Sequence, residues 1–373
     1  MSKIIIQNGN MCELDIPLKY AQKLYNEFAI RHPNAFYLRT RQRGMQNWDG
    51  KIHYITKTGQ FKIGLLPRVY DRCIEMGIKP KVVDMRQPLP KVSKVVTNIG
   101  KYKLRPEQEK AVKSVINNRV GDIPFQIGVL DLTVNFGKTL IMTSLYLSYK
   151  KQLKTLLITN DSDWLNQARE EFKQYLPGED ITFVQGKVLN WSNFTIGMVQ
   201  SISRNMRFYQ QELSKIDMVL VDEADQGGSK QYQNVITRLF NTRIRIGLSG
   251  TIYMSKLAKD KVKNMNLECF FGEVIAEFKL KDSIKKGYST NTVVKIVPGK
   301  PWYGNWESDC ISYKEIYDDS ITENKRAWLM AYNRLQWNLN QGRFPALIVC
   351  KHIAHCENLY KFFKKKLGDA YNI

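Results

Sequence analysis

Two adjacent acids, Asp222 and Glu223, end the apolar run Met218-Val219-Leu220-Val221. Four apolar residues in succession read as a short buried strand. In parallel α/β sheets, ligands bind beyond the C-terminal ends of the strands. A carboxylate placed there can hold Mg²⁺, a hard cation that prefers oxygen ligands. Its neighbour can orient or deprotonate a water that attacks a phosphate. Upstream, the stretch from Val129 through Asn135, Phe136, Gly137, Lys138 and Thr139 reads as a strand, a loop and a helix running to Tyr149. Gly137 lets backbone N–H groups approach a phosphate, Lys138 reaches its outer oxygens, and the Thr139 hydroxyl can ligate Mg²⁺. The full glycine-rich pattern is broken, because Leu132 stands where a first Gly or Ala is usual and Asn135 where a second Gly is common. Asn tolerates left-handed backbone better than most residues. Either segment alone is a common accident of a strand entering a turn; in this order they predict one phosphate-hydrolysing corner.

Taken with further boxes, these residues resemble the superfamily-two helicases and translocases, which carry Gly-Lys-Thr and Asp-Glu-x-Asp/His in this order. Leu104-Arg105-Pro106-Glu107-Gln108 precedes the loop, and the resemblance implies that Gln108, with Arg105, recognises adenine. Gln200 and Ser201 fall where the family contacts the nucleic-acid backbone, and Ser249 and Thr251 where it couples hydrolysis to movement. Asn160-Asp161 replaces the family's phosphate-contacting Pro-Thr pair. A closer resemblance is to the phage UvsW-type branch-migration helicases, which carry Asn-Trp-Asp-Gly-Lys/Arg-Ile and a later Gly-Leu in a small N-terminal domain. This chain has Asn47-Trp48-Asp49-Gly50-Lys51-Ile52 and then Gly64-Leu65, and the likeness continues at Val349-Cys350-Lys351-His352.

The composition fits a polyanion partner. The chain of 373 residues has 57 Lys+Arg against 35 Asp+Glu, a formal net charge of +22. Such a field attracts nucleic acid in a salt-dependent way. No segment reaches the roughly 18 uninterrupted apolar residues that span a bilayer, and the N-terminus lacks a secretion-signal core. The expected setting is therefore cytoplasmic, within an infected bacterial host if the phage resemblance holds. Six scattered cysteines suit a reducing compartment. Cys350, His352, His355 and Cys356 are four zinc-capable side chains, but they lack paired Cys-x-x-Cys spacing. A strand turning into a helix accounts for them better.

Alternating patterns predict an α/β chain. Residues 1–88 read as a small α+β accessory domain, with strands near 4–6, 13–16, 35–38, 51–55 and 60–63 and helices over 18–29 and 67–76. Within it, Arg39, Arg41 and Arg43 share one face of an extended segment; with Lys51 they form a basic ridge facing DNA, beside Trp48 as a mainly structural ring. Residues 89–103 read as a linker. From 104 to 285, strands at 127–130, 155–159, 181–184, 194–198, 218–221 and 244–248 alternate with helices, which predicts a parallel sheet covered on both faces. The resemblance makes this the first RecA-like ATPase lobe. Residues 286–373 read as the start of a second, incomplete RecA-like lobe, with a strand at 292–297, packing aromatics Trp302, Tyr303 and Trp306, and a strand-helix unit from 346 to 367. The family's later boxes are absent, which implies a piece of a longer protein.

The resemblance thus implies an ATP- and Mg²⁺-dependent DNA helicase or translocase acting on branched DNA in recombination or repair. Lys138 and the loop residues Asn135, Phe136 and Gly137 would cradle the phosphates, Thr139 and Asp222 would hold Mg²⁺, and Glu223 would position water. No protein partner and no membrane enter this reading. Two rivals remain at this level: a non-hydrolysing DNA-binding protein with a decayed loop, and an RNA helicase.

Overall fold

A computed structural model of the chain describes residues 2–41, 44–149, 152–188, 191–252, 258–291, 312–343 and 346–368. They fall into two compact units, 1–291 and 292–373.

The first unit opens with β1 (Lys3–Ile6), β2 (Met11–Asp15), α1 (Leu18–Glu27), β3 (Ala29–Arg31), α2 (Ala35–Arg41), β4 (Lys51–His53), β5 (Gln60–Lys62), α3 (Leu66–Glu75) and β6 (Lys81–Asp84). A four-stranded sheet takes the order β5-β2-β1-β6, with β1 antiparallel to β2 and parallel to β6. Alternation along β1 and β2 explains the pairing, since Ile4, Ile6, Cys12 and Leu14 turn inward. The separate pair β3–β4 is antiparallel.

One expectation fails here. Residues 35–38 form the start of helix α2, not a strand. The aromatic-rich Ala-Phe-Tyr-Leu run favours strands in general, but only Ala35 of it is buried, so no sheet face selects a period of two. Local bonds decide instead: Ala35 N–H donates to His32 O and Leu38 N–H to Asn34 O, both at 3.0 Å. On a helix, residues two apart lie about 200° around the axis, so Arg39 and Arg41 cannot share a face. The predicted ridge is therefore split, and Arg43 lies outside the described residues.

The chain continues through β7 (Asn98–Ile99), β8 (Tyr102–Lys103), α4 (Pro106–Ile116), β9 (Arg119–Val120), β10 (Ile123–Pro124), β11 (Ile127–Leu132), α5 (Lys138–Ser148), β12 (Thr155–Thr159), α6 (Ser162–Tyr175), β13 (Ile181–Val184), β14 (Phe194–Met198), α7 (Val199–Arg204), α8 (Met206–Ser214), β15 (Met218–Asp222), α9 (Lys230–Ile236), β16 (Ile244–Ser249), α10 (Ala258–Phe271), β17 (Val274–Phe278) and α11 (Leu280–Lys285). Seven strands form one sheet, β13-β14-β12-β15-β16-β11-β17, with every neighbouring pair parallel. The uninterrupted burial of β11, β12, β15 and β16 is what a parallel sheet covered on both faces requires. This is a RecA-like lobe. The segment read as a linker lies against it: Val96 N–H donates to Ser148 Oγ at 3.0 Å, and Ser144 Oγ donates to Val96 O at 2.6 Å.

The small domain and the lobe share one core, a continuous cluster running from Ile4 and Ile6 through Val219 and Val221 to Phe271. Arg245 of β16 is fully buried there. Its guanidinium donates to Phe270 O at 2.9 Å, to Gly9 O at 2.5 Å and to Asn10 Oδ1 at 2.8 Å. A Cβ at Gly9 would stand 2.6 Å from Leu239 O and 2.7 Å from Thr242 O, so only glycine fits the turn between β1 and β2.

The second unit contains α12 (Tyr313–Tyr317), α13 (Lys325–Asn340) and α14 (Ile353–Leu367). Residues 346–350 form no regular element and pair with no strand among the described residues, so of the strand-helix unit expected over 346–367 only the helix forms; the run is largely exposed, and no sheet face selects a strand. The strand predicted at 292–297 and the aromatics Trp302, Tyr303 and Trp306 lie outside the described residues. Among the described residues, no helix is long and apolar enough to cross a membrane.

Candidate nucleotide site and nucleic-acid surface

β11 and β15 deliver the two chemical corners to the same edge of the parallel sheet, separated only by β16. At the end of β11 the chain turns through Asn135 (φ 63°) and Gly137 (φ 85°), and α5 begins at Lys138. Gly137 meets two demands at once. Its φ is left-handed, and a Cβ there would lie 2.5 Å from Gln108 Nε2. At the end of β15 the turn is made by Glu223 itself (φ 51°). Asn135 and Glu223 are the two non-glycine residues with positive φ among those described. Strained backbone of this kind costs of order 1–3 kcal/mol and concentrates at functional sites.

The corners converge. Lys138 Nζ lies 3.0 Å from Glu223 Oε1 and 4.0 Å from Asp222 Oδ1. Asp222 is 5% exposed, and burial pushes its carboxyl up to about 6; the Lys138 ammonium pulls it back down, and the Glu223 charge pushes it up again. Asp222 Oδ1 has no hydrogen-bond partner among the described residues. A buried carboxylate oxygen with no hydrogen bond, 4.0 Å from the lysine that opens α5, fits a hard divalent cation, which Asp222 and Thr139 would hold. Once bound, such an ion would neutralise phosphate charge.

Further polar links join the residues around this pair. Ser249, fully buried at the end of β16, donates to Asp225 Oδ1 at 3.2 Å and accepts from Thr251 N–H at 3.2 Å; Thr251 itself is exposed. Gln200 donates through Nε2 to Asn160 O at 3.1 Å, and Asn160 Nδ2 donates to Gln226 Oε1 at 2.7 Å. The Asn160-Asp161 replacement thus ties its loop to the residues just after the acidic box. Ser201 is half-buried in α7. The phosphate loop is braced from behind: Arg105 Nη2 (2.6 Å) and Gln108 Nε2 (2.7 Å) both donate to Phe136 O, while Gln108 Oε1 accepts from Arg105 N–H at 2.8 Å. Gln108 is 2% exposed, so its amide is engaged within the chain.

Sequence reasoning missed a set of residues that clasp this loop from β17 and the segment following it. Thr133 N–H donates to Phe278 O at 3.0 Å, and the Phe278 ring packs 4.6 Å from that of Phe136. Lys279 Nζ lies 2.5 Å from the buried Asp131. Lys286 pairs with Glu107 and holds its carboxyl below the usual range. The Arg105 guanidinium sits 4.3 Å from the Tyr288 ring centre. The one sequence sign was Asp131, an acid inside an otherwise apolar strand.

A family model described as "Type III restriction enzyme, res subunit" matches residues 101–254, a span that takes in both corners. The ATP-dependent DNA helicase uvsW of Enterobacteria phage T4 is 21% identical over 350 residues, covering 88% of this chain and 66% of that protein. A crystal structure of the UvsW helicase from bacteriophage T4 superposes with TM-score 0.57 at 21% identity, over 74% of this chain and 99% of that one. A second crystal structure of T4 UvsW gives TM-score 0.57 at 19% identity, over 98% of this chain and 73% of that one. This chain is similar to UvsW in sequence and in fold. Set beside the full-length curated UvsW, it spans about two thirds (66%) of the length. The UvsW likeness also covers the small domain, where Arg39, Arg41 and Lys51 are all exposed.

Proposed function

We propose that the chain works as an ATP-dependent DNA helicase or translocase that remodels branched DNA, by branch migration or fork regression. The observation that carries the reading is the convergence of Lys138 on Asp222 and Glu223 at one sheet edge. Lys138 and the loop residues Asn135, Phe136 and Gly137 just before α5 would cradle the phosphates. Thr139 and Asp222 would hold Mg²⁺, and Glu223 would orient the attacking water. Arg105 and Gln108 would set the adenine side while fixing the loop through Phe136 O. Ser249 and Thr251 would relay the phosphate state, and Gln200 and Ser201 would meet the DNA strand. Arg39, Arg41 and Lys51 would add electrostatic grip from the small domain.

The branched-DNA preference follows the UvsW likeness, as does a setting in the bacterial cytoplasm during infection. ATP hydrolysis measured with a four-way junction, single-stranded DNA and RNA tests the reading. Stimulation is expected to be largest with the junction. Stimulation by RNA alone would replace the track, and Mg²⁺-dependent ATP binding without hydrolysis under any of them would overturn the motor.

A further inference from the structure

The Asn47-Trp48-Asp49-Gly50 signature takes no part in the nucleotide site, yet it is held with unusual care. Asp49 Oδ1 accepts from Lys51 N–H at 2.9 Å, and Asp49 Oδ2 lies 2.6 Å from His53 Nε2. Trp48 Nε1 donates to Lys51 O at 2.9 Å, and His32 N–H donates to Gly50 O at 2.9 Å. The His53 ring stacks on Tyr25 at 4.0 Å and 9°. A wall fixed in this way faces helix α2 across an open cleft of about 410 Å³. Its floor is Gly50 against Ala35, where a Cβ on Gly50 (φ 77°) would come within 3.1 Å of the Ala35 Cβ. At the lip stands Phe36, 80% exposed, between Arg31 and Arg39. Neither arginine has a carboxylate partner among the described residues. One residue on, Tyr37 is 55% exposed, with the Arg41 guanidinium 5.1 Å from its ring centre.

We propose that this cleft takes an unpaired base of single-stranded DNA, stacked on Phe36 with its phosphates on Arg31 and Arg39. A duplex backbone asks only for positive charge, and its bases offer no free face. An exposed ring beside unpaired arginines is the combination that binds unstacked nucleotides. Asp49 also lines the cleft, and the bonds from His53 and the Lys51 amide hold it ionised, so the phosphates are assigned to Arg31 and Arg39 and not to this wall. The proposal rests on the DNA reading above and gives the small domain a definite substrate: the single-stranded part of a branched molecule.

The test uses the full chain, a single-stranded oligonucleotide carrying 2-aminopurine, and the same sequence as a duplex. Phe36→Ala is expected to weaken single-strand affinity about tenfold and to abolish the stacking quench, with duplex affinity unchanged. Phe36→Trp is expected to restore both. Arg39→Ala should lower the single-strand salt slope by about 0.7, the share of one phosphate. A Phe36→Ala protein that binds and quenches the single strand like the wild type overturns the cleft while leaving the DNA reading intact, as does an equal loss on duplex. A wild-type chain that binds neither form overturns the DNA reading and the cleft with it. Because Phe36 is so exposed, its removal leaves the core untouched.

Discussion

The Lys138 ammonium stands 3.0 Å from the Glu223 carboxylate although 85 residues separate them in the chain. An ammonium has three donors, so one bond to Glu223 leaves others to point at phosphate oxygens. The same contact fixes Glu223 beside Asp222 Oδ1, the buried oxygen that lacks a partner. In the proposed site, one ion pair would thus set the spacing of the phosphate, cation and water positions together.

Lys138→Ala is expected to reduce DNA-stimulated ATP hydrolysis by about 10² or more, the scale of losing one preorganised charge in a closed site. Lys138→Arg should not rescue it, since a planar guanidinium is not a compact point charge. Steady-state ATPase assays check this; hydrolysis that survives Lys138→Ala would remove the lysine from the site.

Asp222 makes stability depend on pH in an unusual direction. Its folded carboxyl is raised to about 6 from 3.8, so folding is disfavoured once the group must ionise. Its contribution is intact below about pH 4 and is lost as pH rises through about 6. Without divalent metal, Asp222→Asn should therefore gain about 3 kcal/mol on the wild type between pH 4 and pH 7. Urea unfolding at the two pH values in chelator measures it, and adding Mg²⁺ should close the gap by stabilising the wild type alone.

Ser249→Ala removes the link between the acidic box and Thr251. A hydrogen bond of about 1 kcal/mol corresponds to roughly fivefold, so strand displacement should fall by at least that factor while ATP turnover without DNA stays near wild type. Parallel unwinding and ATPase assays decide it; equal losses in both would make Ser249 structural.

Arg245→Ala leaves Gly9 O, Asn10 Oδ1 and Phe270 O without their buried donor. The cost should be about 3 kcal/mol or more, read as a lower urea midpoint. Gly9→Ala should destabilise by a comparable route, by pressing a Cβ onto the Leu239 and Thr242 carbonyls.

How much of this was legible depends on what kind of force placed each part. β11 and β15 were readable because strands buried on both faces become unbroken apolar runs, and Gly-Lys-Thr marked the start of α5. The tolerance of Asn for left-handed backbone anticipated its φ of 63°. Helix α2 was misread because its aromatics carry strand propensity, while its real determinants are solvent exposure and two local bonds. The clasp of Phe278, Lys279, Lys286 and Tyr288 was invisible because it depends on β17 pairing beside β11, a long-range choice with no local mark. Arg245 gave no sign either: a charge within Ile-Arg-Ile-Gly-Leu looks like an outward residue until the β1–β2 turn is seen to cover it.

The order of the sheet has a temporal consequence. β11 is the first of the seven strands to be synthesised, but its two neighbours, β16 and β17, are the last. The loop after β11 therefore hangs from a strand with no sheet neighbour until Ser249 has been made, and with only one until Phe278, and contacts this distant in sequence form slowly. If the loop takes nucleotide as proposed, its capture would report completed folding: a nascent or shortened chain that stops before β17 would have every residue of the loop but would lack the Phe278, Lys279, Lys286 and Tyr288 side of its frame.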